Sequence, residues 1–286
     1  MIRQLRREFF RLFRSPVMLI GIALALLVPI VFSVGQSTSE SELRVYYDSV
    51  YGNAERQLAK TFKAYGYMIF GQDADPSLVS SLDDMVLALR EKQYYNAMTL
   101  PVVSLFCMLV FPFLLLGQDF HTGAIGATLR LGLRRTPLAR AKYLFCLVPV
   151  FFVSLLSTWI VVASYRSVPL GGLPAWLLVR GLLLHALLET AALAVPLLLT
   201  FLFKRRMAVF TLSVGCAIAH TLLYAAASKG TLPAQVPLPG VLLAAPRLWS
   251  PEADPLQILY AAAAALTLLT LCGLAVCVHF KKADLP

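Results

Sequence analysis

The chain has 286 residues, of which 59% are hydrophobic and only 14% charged, with a net charge of +10. Soluble domains run at about 45–50% apolar and about 25% charged, and the mean hydropathy here is +0.74. These values exclude disordered, collagen-like and disulfide-rich secreted classes and leave an all-α, polytopic membrane protein.

Residues 1–15, MIRQLRREFFRLFRS, place Ile2, Leu5, Phe9, Leu12 and Phe13 at helical spacing, with arginines on the other faces. That pattern predicts an amphipathic helix lying in the membrane interface, ended by Ser15-Pro16. A bilayer crossing needs about 20 apolar residues. Six stretches qualify: 17–34, 98–117, 144–164, 176–203, 207–227 and 258–280.

Between the first two lies the polar segment 35–97, too long for a simple connection. Ala54, Leu58, Phe62, Tyr65 and Ile69 form one helical stripe, and Leu78, Leu82, Met85 and Leu89 another. Asp75 and Pro76 mark the start of the second. The reading is a small extracytoplasmic helical hairpin, with tyrosines such as Tyr94 and Tyr95 at headgroup level. Segment 228–257 carries six prolines around the apolar run Val241–Ala245, which is too short to span. It reads equally as a re-entrant or interfacial element or as an irregular external loop.

Orientation follows from lysine and arginine. Fifteen of the 25 lie in the arm 1–15, the loop 118–143, Lys204-Arg205-Arg206 and the tail with Lys281 and Lys282. Those segments alternate with the others across six spans, so the reading is a plasma-membrane protein with both termini cytoplasmic. The basic charge is then a topological signature, and nucleic acid is not a partner. The five cysteines all fall within expected spans, which implies buried thiols and no disulfide framework.

No G-x-x-x-x-G-K-[ST] is present, so the chain is not expected to hydrolyse ATP. H-E-x-x-H and G-x-S-x-G are also missing, and no metal site or enzyme activity is expected. Ionisable groups inside the membrane are expensive and need a reason. His185 and Glu189 are four apart, on one helix face. Arg180 is nine residues from Glu189, on the opposite side, near the outer interface. With His220 in the fifth span, His185 and Glu189 read either as a proton or metal site or as interhelical hydrogen-bonding groups.

The most informative stretch is Gly117-Gln118-Asp119-Phe120-His121-Thr122-Gly123-Ala124, running on through Arg130, Arg135 and Arg140 to Lys142. Asp119 is placed to cap a short helix, and Gly123 and Gly126 allow a tight turn. A short helix held between two spans can transmit a push; the plain alternative is a basic loop that only sets topology.

This pattern resembles the permease subunits of ABC-2 type exporters. The acid-x-x-x-Gly followed by Arg and Lys, the amphipathic N-terminal helix, the six spans and the proline-rich element before span six occur in the order that family shows. Where the family has Glu-x-x-x-Gly-Thr, this chain has Asp119 and Gly123-Ala124, with Thr122 displaced. The resemblance implies one transmembrane domain over residues 1–286 and a complex of two permeases, a second copy or a paralogue, with two ATPase subunits that bind ATP and Mg2+. It implies ATPase coupling through Asp119, Thr122, Gly123, Arg130, Arg135 and Lys142, with Lys204, Arg205 and Arg206 on a second contact. The strongly apolar route suits export of a hydrophobic or amphipathic compound. The competing readings are an ion- or proton-coupled transporter built on His185 and Glu189, an intramembrane enzyme using the same residues, and a non-transporting anchor or immunity protein.

Overall fold

The computed structural model describes residues 116–132, 134–164, 174–203, 205–233, 236–250 and 253–282, with single positions among 19–27, at 94, at 97–99 and at 112. The interfacial helix expected at 1–15, most of the span 17–34, the hairpin 35–97 apart from Tyr94 and Ala97, most of the span 98–117 and Lys204 lie outside the described residues.

The described residues form eight helices and no strand. They are α1 (Gln118–His121), α2 (Ala124–Arg130), α3 (Arg135–Ser164), α4 (Ala175–Phe203), α5 (Arg206–Ser228), α6 (Pro239–Leu243), α7 (Pro246–Trp249) and α8 (Pro255–Lys282). Four of them, α3, α4, α5 and α8, are long and apolar enough to cross a membrane. For α4, α5 and α8 the bounds fall within three residues of the expected ones. The third expected span, 144–164, begins earlier. The helix starts at Arg135, so most of the basic loop after Arg134 is helix.

The long helices run alternately up and down. Val161 and Val162 near the end of α3 pack with Leu177 and Leu178 at the start of α4 and with Ala261 and Ala265 early in α8. At the other end, Phe145 and Leu147 of α3 meet Leu197 and Phe201 of α4 and Val276 and Phe280 of α8. That second end also carries α1, α2, Arg205 and Lys281, and is called the basic end below.

The helix α4 is the core. Its sequence is apolar around the whole circumference, the composition of a helix enclosed by others. Gly181, Ala186, Ala191, Ala192 and Ala194 are buried along it, and such small residues let neighbouring backbones approach closely. By contrast, Phe152 and Trp159 on α3, Phe210 and Leu222 on α5, and Leu259, Leu266 and Leu271 on α8 are exposed. Apolar surface this extensive is untenable in water and ordinary against lipid, so the protein is membrane-embedded. The buried hydroxyls of Thr190 and Thr200 donate to the carbonyls of Ala186 and Pro196, one turn back, which satisfies them without water.

Candidate functional site

At the basic end the chain leaves residue 117, forms α1, turns, forms α2 and enters α3. The turn sits at Gly123, whose φ of 67° is left-handed, a conformation open to glycine and strained for other residues. The short helix expected after Asp119 is thus two, α1 and α2, separated at this glycine, and α2 gives way to α3 past Gly132 (φ 84°).

Asp119 is not the N-cap of α2, a position that Gly123 holds. It lies in the first turn of α1, 2% exposed. There it accepts a hydrogen bond from Lys142 at 2.6 Å, and Lys142 is 5% exposed. So two residues expected on a coupling surface bind each other and fasten α1 to α3. Ile125 secures α2 by entering the basic-end core beside Leu138, Phe145 and Phe201. Phe120, Phe201 and Phe280 make two edge-to-face pairs, each with centroids 5.8 Å apart, a geometry worth about 0.5–1.5 kcal/mol per pair beyond area burial. Above this anchored layer, Thr122, Ala127, Arg130 and Arg135 are exposed, Leu131 is 77% exposed and Gly123 is half-buried. Arg205 is exposed where α4 passes into α5, and Arg206 opens α5. Arg135 also donates to the Lys281 carbonyl at 3.4 Å, tying the start of α3 to the end of α8.

The intramembrane candidates divide. His185 and Glu189 form a buried i,i+4 pair, with Nε2 and Oε1 3.8 Å apart, a charge-pair distance beyond hydrogen bonding. The Nδ1 of His185 lies 2.6 Å from the Met98 carbonyl. A carbonyl only accepts, so Nδ1 carries the hydrogen and Nε2 faces the carboxyl group. Between them these two groups can hold a proton. His220 is placed elsewhere, under the proline-rich segment, and no group of three metal-binding side chains occurs among the described residues.

That segment is a packed element. Val241, Leu243 and Ala244 are fully buried, and Trp249 donates from Nε1 to the Leu243 carbonyl at 3.0 Å. Of the readings left open by the sequence, an irregular and unpacked loop is therefore set aside for residues 236–250. Gly240 fits because a Cβ there would lie 3.0 Å from the His220 carbonyl and 3.1 Å from its Nδ1. Trp249 faces the His185 ring with centroids 6.3 Å apart. Arg180 latches the segment by donating to the Ser250 carbonyl at 2.6 Å while its guanidinium stacks over Trp176. Beside it, Tyr94 donates to the Leu177 carbonyl and presses on Gly181, where any Cβ would strike the phenol.

Sequence reading did not find these latches. Arg180–Ser250 and Asp119–Lys142 join distant positions, and only glycines 181 and 240 hinted at close approach. No protein-family model, no curated protein and no solved structure matches the chain.

Proposed function

We propose that the chain is the membrane-spanning permease subunit of an ATP-driven exporter of the ABC-2 type, working as a dimer with a second permease and with separate ATPase subunits that bind ATP and Mg2+. The observation that carries this reading is the basic-end segment. Asp119–Lys142 and Ile125 fix α1 and α2 to the long helices, while Thr122, Ala127, Arg130 and Leu131 stand exposed. A rigidly rooted projection with an exposed outer face can pass the movement of a docked ATPase to α3 and α4. Such coupling requires contacts that differ between two states of the partner. Arg205 and Arg206, beside Lys204, would form the second contact. With the basic end cytoplasmic, in keeping with the distribution of lysine and arginine, the projection faces the compartment that holds ATP. The apolar bundle suits a peptide, drug or lipid-like substrate.

The test is capture of the tagged full chain from its native host in mild detergent. A stoichiometric soluble partner with a phosphate-cradling ATPase motif is expected. Leu131→Glu and Arg130→Glu should release it without lowering the melting temperature, because both side chains are exposed. Asp119 is the wrong residue for this purpose, since its replacement disturbs the fold as well. Absence of any ATPase, under conditions that preserve other complexes, overturns the reading.

The buried His185–Glu189 pair supports a second reading, a proton-coupled transporter. Glu189→Gln separates the two: ATP-driven export survives it, and proton-coupled transport does not.

A further inference from the structure

Along the outside of the bundle, α3 and α8 stand apart over α4 and leave an open groove of about 560 Å³. Leu144, Leu147, Val148 and Phe151 form one wall, Leu269, Gly273 and Leu274 the other, and Leu187 and Thr190 the floor. Three hydroxyls line it, and each is already engaged. Tyr143 donates to the Leu269 carbonyl, Thr190 to Ala186 and Thr270 to Leu266. The groove therefore offers an occupant apolar surface along its length.

The exception is Arg140, which lines the basic end of the groove and is exposed. On the facing helix, Lys281 follows the lining residue Cys277 by one turn and is also exposed. The contact of Arg135 with the Lys281 carbonyl brings a third cation to the same corner. The nearest acid on α1, Asp119, is buried against Lys142. Among the described residues the corner is thus positive, and it opens onto an apolar trough. From Arg140 to Phe151 the trough follows α3 for about 16 Å at 1.5 Å per residue. That is about half of a hydrocarbon core roughly 30 Å thick, the depth of a single leaflet.

We propose that this groove is a site for an anionic membrane phospholipid, with one acyl chain between α3 and α8 and its phosphate on Arg140. A helix of a second copy fits less well, because none of the described helices carries an exposed carboxylate at its basic end to meet Arg140. Basic pockets between spans at the cytoplasmic face are a recognised way to hold anionic headgroups, at about 1 kcal/mol per lysine or arginine, which corresponds to about fivefold in affinity.

The experiment is native mass spectrometry of the full chain in mild detergent, titrated with dioleoylphosphatidylglycerol or dioleoylphosphatidylcholine. Wild type should retain phosphatidylglycerol in preference. Arg140→Gln should reduce that retention about fivefold and leave phosphatidylcholine unchanged. Arg134→Gln, an exposed cation outside the lining, should behave as wild type. Val148→Trp, which fills the trough, should reduce both lipids; if it does not reach the membrane, the comparison of the two arginine variants decides. Equal retention of the two lipids overturns the proposal, as does an Arg140→Gln protein that holds phosphatidylglycerol like wild type. A lipid-free dimer that Val148→Trp converts to monomer would assign the groove to a second copy, and likewise overturns it.

Discussion

Lys142 and Asp119 meet at 2.6 Å where almost no solvent reaches either side chain. Taking two charges out of water is costly, and their attraction does little more than offset that cost. Removing one partner is worse, because the other loses its counter-charge; breaking buried pairs costs about 3–5 kcal/mol, whereas replacing both by apolar residues is often neutral. Lys142→Met should therefore destabilise the purified protein by about 3 kcal/mol, and Asp119→Leu combined with Lys142→Met should recover most of the loss. Thermal unfolding in detergent reads both. A double variant no more stable than the worse single one would show that the carboxylate matters for something other than this pair. The sequence put both residues in one stretch between two expected spans, and Lys142 lies instead within α3. It could not pair them, because 23 positions separate them and helical periodicity links only neighbours three or four apart.

At the level of elements, the four long apolar runs seen as α3, α4, α5 and α8 were legible because crossing a bilayer demands length and composition together. The start of α3 was not. Arg140 and Lys142 interrupt the apolar run, so the pattern placed the boundary at 144; the helix continues to Arg135 because Lys142 finds Asp119 and Arg140 stays exposed. Nor was the fate of Val241–Ala245 legible, since a run too short to span has no intrinsic destination. Tertiary packing decides it, and Gly240 is where it decides: a side chain there meets the His220 carbonyl at 3.0 Å, and backbone cannot swing aside. Gly240→Leu should push α6 off α5. In a background without the native cysteines, Val241→Cys is fully buried and should react slowly with a soluble thiol reagent. Adding Gly240→Leu should accelerate that reaction about tenfold or more, given an overpacking cost of about 1–3 kcal/mol. Equal rates would mean that the contact between α5 and α6 is loose already.

For the whole molecule, the arrangement of charge and the arrangement of helices have to agree. Because α3, α4, α5 and α8 alternate in direction, the start of α3, the turn between α4 and α5 and the end of α8 share one end. Those are the segments that carry Arg134, Arg135, Arg140, Arg205, Lys281 and Lys282. An exporter driven by a cytoplasmic ATPase needs that end inside, and the excess of lysine and arginine beside the spans favours the same orientation. The opposite end presents Lys229 and Leu238, both exposed. Single cysteines at Thr122, Lys282, Lys229 and Leu238, labelled on intact cells with a membrane-impermeant reagent, read the orientation directly. Lys229→Cys and Leu238→Cys should label, and Thr122→Cys and Lys282→Cys should label only after the cells are opened. The reverse pattern would leave the α1–α2 projection on the side without ATP. Docking of an ATPase there would then be impossible, whatever the likeness of the segment to a coupling helix, and the proton-coupled reading built on the buried His185–Glu189 pair would take its place.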